Sequence, residues 1–305
     1  MSTPESNIIN LRPEAPMVEP ERPCWGVYEH WVVNEKGRKL RPGVYWHGFK
    51  RQAEQEGDDE SARPIVDDWI STPVTVTART TNSDNGSQGR LLRLATEGGI
   101  KEWIIAMEVF GGRGEDARRA LFGMGVIIAL KKRGAFMEYL LEQRPREVFA
   151  TTSRPGWHES GAFVLPGRTL GSDKVRYQAG NGAQTLFNRR GELGRWQTEV
   201  AALCAGNPVL TLAVGCALAG PLLSLVGVLG GGVHLMGDSS SGKSLAQLIG
   251  SSVWGAPGVF AASWDVTKGG LEIEAASRND TVLPLDEIKR IRKAVPGATV
   301  NDCVL

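Results

Sequence analysis

The chain is 305 residues long, 41% apolar and 23% charged, with a formal net charge of +1, a profile that fits a globular protein with room for two domains. This balance excludes a globally basic nucleic-acid-binding protein, so contact with a polyanion has to come from local patches. Four cysteines, Cys24, Cys204, Cys216 and Cys303, lie far apart without a CxxC pair, which argues against a zinc site or disulfide framework and points to a reducing, cytoplasmic setting.

Residues 1–22 are polar and rich in Pro and Glu, without the basic-then-apolar pattern of a signal peptide, and read as a disordered lead-in. An N-terminal α+β domain is expected over 23–190. Its aromatic runs from Cys24 to Phe49, split by Asn34-Glu35-Lys36-Gly37 and Arg41-Pro42-Gly43, predict short strands and hairpins. Gln52–Arg63 is acidic and loop-like. Val74–Ala78, Leu91–Thr96 and Glu102–Met107 have the composition of an antiparallel sheet, with a turn at Asn82–Gly86. A helix is predicted over Glu115–Met124, a strand over Val126–Leu130 and an amphipathic helix over Ala135–Arg144. Val148–Thr152 and Ala162–Pro166 read as further strands flanking Arg154-Pro155-Gly156-Trp157-His158, and Gly167–Gly194 reads as a boundary region.

The second domain, 191–305, begins with long helices. No Asp, Glu, Lys or Arg occurs from Val200 to Gly237. Although Val209–Leu229 approaches the length of a membrane span, Gly215, Gly220, Pro221 and Gly227 interrupt it. A buried core helix is the expectation, with no membrane. Val233-His234-Leu235-Met236 then reads as a buried strand.

The strand is followed by Gly237-Asp238-Ser239-Ser240-Ser241-Gly242-Lys243-Ser244, a complete GxxxxGK[ST] pattern. Each fixed position has a physical role. The glycines let successive amide N–H groups turn around phosphate oxygens. Lys243 supplies an ammonium to the β- and γ-phosphates, Ser244 a ligand to Mg²⁺, and the helix beginning at Leu245 the positive end of its dipole. ATP and Mg²⁺ are thus the expected cofactors. Downstream, Thr281-Val282-Leu283-Pro284-Leu285-Asp286-Glu287 is an apolar run ending in two carboxylates. Asp286 suits the metal's water shell and Glu287 the activation of water. Pro284 counts against a central strand, because it removes a ladder donor.

Four stretches together carry a family resemblance. They are Trp264–Glu287, residues 123–145 (GMGVIIALKKRGAFMEYLLEQRP), residues 154–168 (RPGWHESGAFVLPGR) and residues 235–244 (LMGDSSSGKS). Over residues 23–288 the chain closely resembles the domain of unknown function 927 family of phage- and mobile-element-associated, helicase-like ATPases. The resemblance implies an α/β protein: an N-terminal α+β region followed by a RecA/AAA+-like P-loop NTPase core. It also implies action on DNA, single-stranded in this reading, and homo-oligomeric rings among full-length relatives, where a neighbour supplies an arginine finger.

The core is expected to be incomplete, with a truncated or frameshifted tail after Ile288, so that nucleotide is bound but poorly hydrolysed. Two other classes remain open: a P-loop phosphotransferase, and a non-enzymatic remnant whose N-terminal module binds a partner. Trp157 and His158 read more readily as packing residues than as a catalytic or base-stacking pair. The basic runs Lys131–Arg133 and Lys289–Lys293 read more readily as solvated surface than as phosphate contacts. Trp264, Thr267 and Glu272 fall where the strand and loop after the P-loop helix are expected.

Overall fold

The computed structural model describes residues 15–18, 20–34, 37–50, 64–111, 114–178, 186–238 and 240–286. The expectations for Gln52–Arg63, Ser239, Glu287 and Lys289–Lys293, and for most of the lead-in, lie outside these residues. The chain is mixed α/β and divides into two compact units, Met1–Thr81 with Gly86–Phe149, and Asn82–Asn85 with Ala150–Leu305. The described residues of 150–178 and 186–190 thus fall in the same unit as residues 240–251.

The first unit opens with the two-residue strands β1 (Ala15–Pro16), β3 (Val32–Val33) and β4 (Lys39–Leu40), and β2 (Cys24–Tyr28), β5 (Gly43–Phe49) and β6 (Ile65–Ser71) form an antiparallel sheet in the order β2-β5-β6. Next, β7 (Val74–Asn82), β8 (Gln88–Thr96) and β9 (Gly99–Ala106) pair antiparallel as the sequence predicts. Their alternation places Val74, Val76, Leu92, Leu94 and Ile105 in the core. Helix α1 (Glu115–Gly123) contributes Ala117 and Leu121, and α2 (Arg133–Glu142) contributes Phe136, Tyr139 and Leu140. Tyr139 is buried together with its hydroxyl, which donates to the Val74 carbonyl at 2.7 Å. Burial pushes that phenol well above its ordinary pKa.

Two expectations in this unit are corrected. The end of the lead-in is ordered: Ala15–Pro16 pairs parallel with Val32–Val33, and Met17 is buried against Val32, Leu40 and Tyr45. Composition alone missed it because one apolar anchor is enough to seat a short strand. Val126–Leu130 forms no strand and makes a single bridge, Ser71↔Ile128, because Thr72 and Ile70 take up its neighbouring Ile127 and Ala129 amides individually.

A buried polar network closes the unit. His47 is fully buried, with Nδ1 2.8 Å from Asp67 Oδ1 and Nε2 2.9 Å from the Tyr28 hydroxyl. Arg22 pairs with the same carboxylate at 2.8 Å. Burial pushes the Asp67 carboxyl up, but hydrogen bonds from His47 and Arg22 outweigh it and hold the group below its ordinary value. Gly26 is required here, since a Cβ would lie 2.7 Å from His47 Nε2.

In the second unit, β10 (Val148–Thr152) pairs parallel with β14 (Val175–Tyr177), and β11 (Gly156–Trp157), β12 (Phe163–Leu165) and β13 (Arg168–Leu170) form an antiparallel meander. The turn residue Asp84 ties down the end of β10 by accepting from the Ser153 amide at 2.7 Å and its hydroxyl at 2.6 Å. The helical part opens with α3 (Leu193–Trp196), a π-helical stretch Gln197–Ala201 and α4 (Ala202–Cys204). Then follow α5 (Pro208–Leu225), α6 (Lys243–Ser251), α7 (Pro257–Phe260) and α8 (Lys268–Ala276). β15 (Ala262–Ser263) and β16 (Leu285–Asp286) form a short parallel pair.

Helix α5 starts at a well-formed cap: the Asn207 side chain accepts from the Val209 and Leu210 amides, and Pro208 occupies the first turn, where a missing N–H costs nothing. Further along, Pro221 has no N–H for the carbonyl of Ala217. Trp254 Nε1 supplies that carbonyl with a donor at 2.8 Å. The expectation of a buried helix is corrected, for nearly all of this helix is exposed or half-buried. What is covered is a narrow face, at Ala217 and Gly220. There the backbone of Thr281 comes so close that a Cβ on Gly220 would lie 2.1 Å from its carbonyl oxygen. Residues 233–236 are likewise exposed, apart from half-buried Leu235, and form no strand. An apolar run becomes a strand only where a partner offers a ladder, and among the described residues none lies beside it.

Candidate functional site

Residues 237, 238 and 240–242 form a loop that leads into α6. Gly242 caps α6 in the left-handed region, φ 86°, where a Cβ-bearing residue is disfavoured. Ser240 is also left-handed at φ 65°, an uncommon state for serine that costs on the order of 1 kcal/mol or more and tends to mark functional loops. Between them the loop curls tightly enough for Lys243 to reach back across it. Its Nζ donates to the carbonyls of Gly237 (2.9 Å) and Asp238 (2.6 Å) and to the Ser241 hydroxyl (3.0 Å). Lys243 therefore folds back over the mouth of its own loop, at the positive end of a 9-residue helix.

Packing fixes this helix from behind. Ala246, Gly250 and Ser251 are its buried face. A Cβ on Gly250 would lie 3.1 Å from the Ala213 carbonyl, so the crossing of α5 and α6 is nearly backbone to backbone. Trp196 Nε1 donates to the Ser252 hydroxyl at 2.9 Å just past the helix end. Ser244 and Leu245 are exposed at the first turn, as are Gly237, Asp238, Ser240 and Ser241 in the loop. The described residues of the motif thus stand together on one loop–helix junction with their polar atoms accessible.

Asp286 is exposed at the end of β16, in register with Ser263. Pro284 lies just before this two-residue strand and contributes only its carbonyl, which accepts from the Ala262 amide at 2.8 Å. Thr267 is the N-cap of α8, accepting from the Gly270 amide at 3.1 Å, and so has a structural role. Glu272 is exposed, and the Trp264 indole N–H is buried without a partner.

Two of the stretches singled out by sequence meet within this unit. The Asp280 carboxylate accepts from the Trp157 amide at 2.8 Å, and Asn279 Nδ2 donates to the Pro155 carbonyl at 3.1 Å. Gly156, at φ 110°, leaves no room for a side chain beside Asp280. Trp157 Nε1 donates to the Pro221 carbonyl at 2.8 Å, and its ring packs edge-on against Phe163, with centroids 5.1 Å apart. His158 is held by Ser83 and Ser160, each 2.8 Å away. Both residues are packing residues. Lys132 of the first basic run pairs with Asp68.

Sequence reasoning missed Arg278. It is 3% exposed and donates through Nε (2.9 Å) and Nη2 (2.6 Å) to the carbonyl of Phe260, while Nη1 pairs with Glu274. It clamps the end of α8 to α7 and so positions the segment leading to Asp286. A lone Arg after an apolar helix carries no signal of burial in sequence.

The family model described as Domain of unknown function (DUF927) matches residues 37–300. No curated protein matches the chain. Among solved structures, "SCCmec type IV Cch - active helicase" is similar in fold, with a TM-score of 0.57 and 19% identity, over 81% of this chain. This chain spans 47% of that structure's length.

Proposed function

The chain belongs to the DUF927 family, and on that premise we propose that it is the nucleotide-binding part of a mobile-element, helicase-like ATPase. The observation that carries this reading is the enclosure of Lys243 Nζ by three oxygens of its own loop at the N-terminus of α6. A fixed ammonium in a ring of weak acceptors is an anion site held ready, because phosphate oxygens are stronger acceptors than the carbonyls they replace. The likeness in fold to a solved structure titled a helicase supports the same class.

The donor set fits a nucleoside triphosphate with Mg²⁺. Lys243 and the amides of Gly237 to Leu245 would hold the phosphates, with Ser239 completing the loop. Ser244 would ligate the metal, and Asp286 would hold its water shell. Bound Mg·ATP supplies a phosphoanhydride whose cleavage can drive motion along DNA. Glu287, next to Asp286, would orient the attacking water. The wider reading, in which single-stranded DNA is the partner and full-length relatives form rings inside the cytoplasm, rests on the same premise. With 233–236 unpaired and β15–β16 only two residues long each, nucleotide binding without brisk turnover is the expected behaviour of this chain. Thermal unfolding with and without Mg·ATP, set beside Lys243→Ala, tests the binding. Fast ATP turnover by the purified chain contradicts the proposed weak hydrolysis.

A further inference from the structure

Apart from the phosphate site proposed for the second unit, the first unit carries an arrangement of arginines that packing does not explain. Arg79 on β7 and Arg90 on β8 stand directly opposite each other in the ladder. Like charges in that position destabilise a sheet. The Arg79 amide donates to the Glu147 carbonyl at 2.9 Å, which lays the segment after α2 alongside this end of β7. That segment carries the exposed Arg144 and Arg146.

No ion pair relieves the crowding. Among the described residues, Arg79, Arg90 and Arg144 have no carboxylate partner. Arg90 Nη1 donates to its neighbour, the Gly89 carbonyl, at 3.2 Å, and its Nε is buried with no acceptor at all. Burial first, and then the charges of Arg79 and Arg144, make Arg90 easier to deprotonate than an ordinary arginine. Glu142, at the end of α2, already accepts from Trp25 Nε1 at 2.7 Å. Glu147 is the one acidic residue in 143–149.

We propose that Arg79, Arg90 and Arg144 form a phosphate-binding cluster on the first unit that holds the sugar–phosphate backbone of single-stranded DNA. Guanidinium groups bind phosphate oxygens through paired N–H donors, and the exposed Arg79 and Arg144 present theirs at the surface beside the half-buried Arg90. A bound phosphodiester neutralises the repulsion that the folded sheet otherwise bears. The contact reads backbone charge and not base sequence. The choice of DNA over other polyanions rests on the helicase-like reading.

Binding of the whole chain to a labelled thymidine oligonucleotide, followed by fluorescence anisotropy across a range of salt, tests this. Arg79→Gln with Arg144→Gln should weaken binding about tenfold at low salt and reduce the log–log salt slope by about 1.4, two single-strand phosphate contacts at about 0.7 each. The Lys pair at the same positions should recover most of the slope. The thermal midpoint of the Gln variant should match or exceed that of the wild type, because repulsion is removed, and this separates lost binding from lost folding. Unchanged affinity in the Gln variant, no oligonucleotide binding by the wild type, or tighter binding of polyglutamate than of the oligonucleotide overturns the proposal. The two readings fail separately: DNA binding through this cluster without any Mg·ATP-induced stabilisation leaves the inference standing and sinks the ATPase reading, and the reverse outcome sinks the cluster alone.

Discussion

The indole N–H of Trp254 donates to the carbonyl of Ala217 at 2.8 Å, the carbonyl four residues before Pro221 in the middle of α5. Proline removes the N–H that would have satisfied that oxygen, and a side chain from beyond α6 replaces it. Trp254→Phe should therefore cost about 1–3 kcal/mol, the penalty of a stranded buried acceptor. In a Pro221→Ala background the helix supplies its own donor, and the same substitution should cost less than half as much. A denaturant double-mutant cycle reads the difference directly. Equal costs in both backgrounds would show that the bond compensates for nothing.

Glycines within α5 should respond to alanine with opposite signs. At Gly220 a Cβ would meet the Thr281 carbonyl oxygen at 2.1 Å, whereas at Gly215 nothing lies within 4 Å. Gly220→Ala should destabilise by about 1–3 kcal/mol through overpacking. Gly215→Ala should stabilise by about 0.5–1 kcal/mol, the helix-interior difference between the two residues. Urea unfolding of both variants checks the pair.

Asp67 sets a pH dependence for the first unit. Its folded pKa is held below the ordinary value despite burial. Its stabilising contribution is thus complete above the unfolded pKa of about 4, and is lost as pH falls below that value through the lower folded one. The stability gap between wild type and Asp67→Asn should be constant from pH 6 to 8 on that scale and should narrow steadily below about pH 4. A gap that widens on acidification would mean that His47 and Arg22 do not stabilise the carboxylate.

Much of this architecture is legible in residue order because the signals are local. Alternation from Val74 to Ala106 fixes three strands and their buried face. The helix-forming runs before Gly123 and Glu142 lie within two residues of their expected ends. The loop around Lys243 follows from glycine placement and helix polarity. What sequence does not carry is partnership. Val233–Met236 has the composition of a strand, but among the described residues no ladder stands beside it, and α5 has the composition of a core helix with only a narrow face covered. Arg278 and Met17 are invisible for the complementary reason: each is buried by neighbours distant in the chain or contributed by another strand.

Thermal unfolding of the chain with and without Mg·ATP, beside Lys243→Ala, tests the central claim most directly. Ligand at 100 times its Kd should stabilise the wild type by about 2.7 kcal/mol, and Lys243→Ala should abolish the shift while keeping its own ligand-free midpoint close to that of the wild type. A wild-type midpoint indifferent to Mg·ATP, or a shift that survives the loss of Lys243, contradicts the account.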